Sequence, residues 1–131
     1  MGSLCCKVIS IEQTMTDGLF IYHPSHFIVR FTNGPEEINW NDIESVFAYK
    51  VDWLTFDDVH IDLIVKGEII SIREDIYGFD TFIENLQQHL PDLKDYCIVV
   101  NPPFATNFTM LYDRLGRTQE EAKNLYYRSS I

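Results

Sequence analysis

Four histidines and three cysteines are the residues of this 131-residue chain best suited to metal or nucleophilic chemistry. His23 and His26 are three apart but straddle Pro24 in an expected turn, a spacing that does not aim two imidazoles at one ion as a helix face would. His60 alternates with Asp58 and Asp62 on an expected strand, and carboxylates around an imidazole could hold a cation on a sheet surface. A solvated sheet face carries the same pattern with no ion. Cys5 and Cys6 are adjacent and Cys97 stands in an apolar run. The odd count, with no CxxC pair and no histidine at zinc spacing, predicts neither a disulfide framework nor structural zinc. No GxSxG elbow is present, and the six glycines are dispersed as turn residues rather than gathered into a phosphate loop. Twenty Asp and Glu supply many accidental carboxylate pairs, so sequence ranks none of them as an acid–base pair. The expectation is a chain that is not an enzyme and needs no metal or organic cofactor.

Charge is the stronger signal. The net charge is −10 with a pI near 4.6, which disfavours nucleic acid and anionic membrane as principal partners. Residues 1–35 carry two acids and two bases, whereas residues 36–75 carry eleven acids against Lys50, Lys66 and Arg73. Such a stretch can be a solvated sheet face that resists edge pairing. It can equally steer a cationic protein to the surface, with nearby aromatic side chains as anchors. In that reading Asp52, Asp57, Asp58 and Asp62 are the charge contacts, and Trp53 and Phe56 are the anchors in a loop where apolar bulk needs a partner. If Trp53 faces inward with Phe47, Tyr49 and Val51, the anchor role falls to Phe56.

The elements that must position these residues are legible as periodicities. A first strand is expected over Cys5 to Glu12, with small buried thiols rather than a lipidated Gly2 and Cys5-Cys6. A meander follows: Leu19 to Tyr22, His26 to Thr32, a hairpin closed by Asn33-Gly34, and a short strand Glu36 to Trp40. After a tight turn at Asn41 or Asp42 comes a long strand, Ser45 to Trp53. Val59, Ile61, Leu63 and Val65 then alternate with His60, Asp62 and Lys66, which predicts an apolar face inward and a polar face outward, broken only by Ile64. Asp57-Asp58 is expected in the loop between these strands. Lys66-Gly67 is expected to turn the chain into Glu68 to Glu74. After Gly78 the period changes: Phe79, Phe82, Ile83, Leu86 and Leu90 form one helical stripe that Pro91 ends. A strand Tyr96 to Val100, an extended Pro102-Pro103 turn, and a short helix with a Thr118–Glu121 capping box and an Ala122, Leu125, Tyr126 side complete the chain. The fold class is α+β: an antiparallel meander sheet, open to the shape of a curved half-barrel, packed by the helix near 78–90, with a short C-terminal helix. One domain is expected over 1–131, since this length accommodates one core. No apolar run approaches a membrane span and no basic leader precedes an apolar stretch, so a cytoplasmic protein is expected.

Tyr49-Lys50-Val51-Asp52 with Thr55 and Asp57, Gly78-Phe79-Asp80, Leu90-Pro91 and Pro102-Pro103-Phe104-Ala105-Thr106-Asn107 with Thr109, Leu111 and Tyr112 resemble a group of small uncharacterised bacterial proteins. The resemblance spans roughly residues 38 to 112. It implies a shared fold and a bacterial source and carries over no functional residue. In size, acidity and lack of catalytic motifs the chain is also similar, by type rather than by motif, to immunity proteins that neutralise bacterial toxins. Nuclease toxins are basic because they bind phosphates, so an inhibitor can cover the same surface with carboxylates. The functions left open are a toxin-neutralising binder, another acidic binding or adaptor domain, and a small enzyme.

Overall fold

A computed structural model describes residues 15–52, 57–95 and 108–127. Two four-stranded antiparallel sheets and two helices make up these residues, with no closed barrel among them. The first sheet is a meander in sequence order: β1 (Met15–Asp17), β2 (Phe20–Tyr22), β3 (His26–Phe31) and β4 (Gly34–Asn39). A single 3-10 turn, Trp40–Asp42, then delivers the chain to the second sheet. There β5 (Ile43–Asp52), β6 (Asp57–Val65) and β7 (Glu68–Arg73) continue as a meander, and β8 (Thr109–Asp113) returns to the free edge of β5, giving the order β7-β6-β5-β8. Helix α1 (Phe79–His89) follows β7, and α2 (Gln119–Tyr126) follows β8.

Turn chemistry fixes the registers. Lys66 and Gly67 both have positive φ, 53° and 81°, and join Val65 to its partner Glu68 as a two-residue hairpin of the type whose twist matches the strands. The β3–β4 hairpin differs by one residue from the expected Asn33-Gly34 closure: Phe31 pairs with Gly34, so Thr32-Asn33 form the turn and Gly34 opens β4. Asp57-Asp58 lie in β6 rather than in a loop, and β8 is a strand that short, partly polar Thr109–Asp113 did not announce.

The main core lies among the two sheets and α1. Phe20, Phe27, Val29 and Ile38 from the first sheet meet Val46, Ala48, Ile61, Leu63 and Ile72 from the second, all with no exposed surface. The α1 stripe closes this core: Phe79, Phe82, Ile83, Leu86 and the following Leu90 are buried as their spacing requires. Phe82 stacks on Phe20 with ring centroids 5.0 Å apart, and Trp40 stacks on His89 at 4.0 Å. Each such buried side chain contributes about 1.5–3 kcal/mol of hydrophobic stabilisation.

Backbone meets backbone where α1 begins. A Cβ on Gly18 would stand 2.1 Å from the Tyr77 carbonyl oxygen, and one on Gly78 would stand 2.5 Å from the Asp17 carbonyl oxygen. Leu19 N–H donates to that Tyr77 oxygen at 2.9 Å, so the β1–β2 turn is fastened to the segment leading into α1.

β5 and β6 are covered on both faces where α2 lies, while the outer face of β7 is exposed. Ser45, Phe47, Asp62 and Ile64 point away from the main core and are buried all the same. Phe47 and Ile64 pack with Ala122, and Phe108, Met110, Tyr126 and Tyr127 complete this smaller cluster under α2. The capping box expected at the start of α2 is formed in both directions, Thr118 Oγ1 accepting from Glu121 N–H and Glu121 Oε1 from Thr118 N–H. Leu125, expected on the apolar side of this helix, is instead 59% exposed; the contact is made by Ala122 and the two tyrosines at its end. Cys5 to Glu12, Tyr96 to Val100 and Pro102-Pro103 lie outside the described residues.

Candidate functional site

The side of β6 expected to face solvent is the most polar buried region of the described chain. Asp62 is 2% exposed, and three hydroxyls surround its carboxylate. Tyr127 donates to Oδ2 at 2.7 Å, while Ser71 and, at 3.4 Å, Tyr49 donate to Oδ1. A carboxylate taken out of water is retained only when its lone pairs are satisfied, and a strand partner, a neighbour across the sheet and the end of a helix supply those donors here. Burial first, and Asp62 second, push the Tyr49 hydroxyl up to about 12 and raise Tyr127 further still.

Asp58, two residues earlier on the same face, is also buried. Its Oδ2 stands 3.5 Å from His60 Nε2, outside hydrogen-bond geometry, and Nε2 has no hydrogen-bond partner among the described residues. The His60 ring stacks on Tyr49 with centroids 5.3 Å apart. Ser71 is a donor to Asp62, with no hydrogen bond to an imidazole among the described residues.

At the other end of this face, a second network fastens α2. Arg117 grips Asp113 with paired guanidinium bonds, Nη2 to Oδ1 at 2.8 Å and Nε to Oδ2 at 3.1 Å, and its backbone N–H donates to Oδ2 at 2.8 Å. The Ser45 hydroxyl adds a donor to Asp113 Oδ1. Burial would raise the Asp113 carboxyl, but the Arg117 side chain, Ser45 and the Arg117 N–H outweigh it and hold the group at about 2. Arg117 also donates to the Tyr126 hydroxyl at 3.0 Å, which donates onward to Glu44 at 2.6 Å.

Two of the clefts among the described residues bear on the site. One, of about 860 Å³, is lined by Leu19, Arg30, Phe31 and Thr32 from the first sheet and by Tyr49, His60, Ser71, Arg73 and the Asp75–Tyr77 segment. The other, of about 380 Å³, is lined by Glu36, Glu37 and Asn39 of β4, by Asp42, and by Val65, Lys66, Glu68 and Ile70 of the β6–β7 hairpin. Lys66 pairs with Asp42 at 3.5 Å there.

These positions redistribute the residues singled out by sequence. Asp58 and Asp62 are inside rather than outside; Asp62 is reached by Tyr127 at the end of α2, and Asp58 stands beside His60. Asp52 ends β5 and stands opposite Asp57, the first residue of β6, so two acidic positions face each other across the mouth of the hairpin. Trp53 and Phe56 lie outside the described residues. The carboxylates that do reach solvent in the acidic stretch include Glu36, Glu37 and Glu68. No group of three or more His, Cys, Asp or Glu side chains disposed to hold a metal occurs among the described residues, although the His23 and His26 rings do stack at 4.5 Å. No described helix is long and apolar enough to cross a membrane.

Comparison with protein-family models, with curated proteins and with solved structures returns no match. The reading of function therefore rests on the residues themselves.

Sequence reasoning missed Arg30, Arg73 and Ser71 as cleft residues, and marked Tyr49 as an aromatic anchor beside Trp53 and Phe56 rather than as part of a cleft. Each is an ordinary strand residue in its own segment, and only the approach of two sheets brings them to one concavity. Their alternation with core residues on β3, β5 and β7 is the one local sign that they share a non-core face.

Proposed function

We propose that the chain is a protein-binding domain whose carboxylate-rich surface neutralises a basic protein partner, as an immunity protein covers a cationic toxin, with a nuclease domain as the partner type that acidity fits best. The observation that carries this reading is the sorting of charge. Asp58 and Asp62 are buried, whereas Glu36, Glu37, Asp42 and Glu68 gather around one cleft whose apolar components are Val65 and Ile70. Lys66 is the one base among the described residues that line it. A concave patch with apolar residues and an acidic rim suits a partner that inserts a lysine or arginine and buries its aliphatic stem.

Asp52 and Asp57 are register partners at the hairpin mouth, which sets two positions of the acidic stretch side by side. Trp53 and Phe56 stay the proposed anchors, and Asp52 and Asp57 the charge contacts beside them. Asp58 and Asp62 become supports of the sheet rather than contacts.

The test is copurification of the tagged full chain from its native cell, identification of the partner, and binding kinetics at low and high salt. A basic partner is expected, with an association rate that falls steeply as salt rises and falls again in the Glu36→Gln/Glu68→Gln variant. A neutral or acidic partner, or kinetics indifferent to both salt and those substitutions, would sink the reading.

A further inference from the structure

We propose that the larger cleft is a binding site for a small organic anion that has a flat apolar body and a hydrogen-bond donor. Its volume, about 860 Å³, is in the range of pockets that enclose small molecules. Leu19, Phe31, Ile76 and Tyr77 line it as apolar surface, and the Tyr77 side chain is left 74% exposed at its margin. A planar ligand would cover that surface, and the His60 ring, stacked on a Tyr49 ring that itself stacks on Phe108, adds an aromatic group to the lining.

The charge of the ligand follows from the two arginines, one from each sheet. Arg73 is balanced by Asp75, 3.0 Å away. Arg30 has no carboxylate partner among the described residues; its Nη2 donates to the Gly18 carbonyl at 3.3 Å. A guanidinium offers five N–H donors in a planar fork suited to a carboxylate, sulfonate or phosphate. Two arginines and one carboxylate, Asp75, line this concavity, and the buried Asp62 behind it is occupied by the hydroxyls of Ser71 and Tyr49.

The donor requirement comes from Asp62. Ser71 and Tyr49 each give their proton to that carboxylate, so the capacity left to both hydroxyls is to accept. The cleft is also pre-formed. Leu19 N–H donates to the Tyr77 carbonyl, Arg30 N–H donates to the Leu19 carbonyl, and Gly18 and Gly78 interlock with the facing backbone. Little ordering is then needed when a ligand enters.

The experiment is an amide-resolved NMR titration of the full chain with hydroxynaphthoate, naphthoate and naphthol. Hydroxynaphthoate is expected to saturate one site, shifting Leu19, Phe31, Ser71 and Tyr77 together. Naphthoate, lacking the donor, and naphthol, lacking the anion, are expected to bind more weakly. In Arg30→Gln the affinity for both anions should fall about tenfold while that for naphthol holds. Asp75→Asn should tighten anion binding, since it removes the carboxylate that balances Arg73. Lys123→Gln, a charge change on α2, should leave it unaltered, and the dispersion of each spectrum verifies folding. No saturation, shifts scattered over the surface, or equal affinities in the native chain and Arg30→Gln would overturn the proposal. Because these variants leave Glu36, Glu37, Asp42 and Glu68 in place, the outcome is independent of the protein-binding reading.

Discussion

The Tyr127 hydroxyl donates to Asp62 Oδ2 at 2.7 Å, joining the end of α2 to the middle of β6 across 65 positions of sequence. This bond turns a strand residue with the pattern of a surface carboxylate into an interior one. Tyr127→Phe keeps the ring, which packs edge-on against Phe47 and Phe108, and removes one of three donors from a buried acceptor. A loss of about 1–3 kcal/mol is expected in urea unfolding. Unchanged stability would mean that α2 is held by its apolar contacts alone.

Asp113 sets an acid limb on stability. Its folded-state carboxyl, at about 2, lies below the ordinary 3.8. The contribution is therefore complete above pH 3.8 and fades as pH falls through about 2. It amounts to about 2 kcal/mol. Urea melts of the native chain and Asp113→Asn should differ by a constant amount at neutral and mildly acidic pH, and the gap should narrow below pH 3.8. A gap that is constant down to the lowest pH studied would exclude the ion pair as its cause.

The tyrosines govern the alkaline side. Burial is the first cause that raises Tyr22, Tyr49, Tyr126 and Tyr127, with neighbouring carboxylates adding to it. A folded-state value above the unfolded one favours folding below pH 10, and that stabilisation is lost as pH rises through the folded-state values. Ultraviolet phenolate absorbance should show these four titrating late, together with loss of folded-state circular dichroism. Four ordinary phenolic titrations in a folded chain would contradict the burial of their hydroxyls.

Gly18 and Gly78 are places where no Cβ fits. Alanine at either meets a carbonyl at 2.1 or 2.5 Å and must hold a φ of +64° or +98°. A loss of about 2 kcal/mol or more is expected from each. Gly67→Ala, with φ +81° but open space around it, should cost about 1 kcal/mol. Equal melting shifts for Gly18 and Gly67 variants would show that conformation, not contact, sets the penalty.

The proposed interface can be separated into rate and anchor. Glu36→Gln with Glu68→Gln should slow association with the proposed basic partner, whereas Phe56→Ala should speed dissociation and weaken binding by about 2 kcal/mol or more. Asp58→Asn, in a buried side chain beside His60, should alter stability instead of association. An Asp58 variant that slows association at unchanged stability would return that residue to the interface.

Much of the architecture was readable because it is local. The α1 stripe, the Lys66-Gly67 turn, the alternation of β6 and the α2 capping box each follow from residues a few positions apart. The second covered face was not readable in the same way. Alternation in β6 reads as one wet face, and what buries Asp62 arrives from residues 122–127. Ile64, apolar on the supposed solvent side, was the sign of it. The larger cleft was less legible again, because Arg30 and Arg73 meet only after two sheets have formed.

The two-sided covering of β5 and β6 also orders the molecule by depth. Both strands have hydrogen-bonded neighbours on either edge, and Phe47, Ala48, Ile61 and Ile64 are sealed on opposite faces. Their amides can meet solvent deuterium only when the whole domain opens, so their exchange reports the global unfolding free energy. β1, whose pairing among the described residues is with β2 alone, can exchange through a local opening that leaves the second sheet intact. Slow exchange is therefore expected in the central pair of strands and faster exchange in β1, and a ligand seated in the larger cleft would register as slowed exchange in the first sheet.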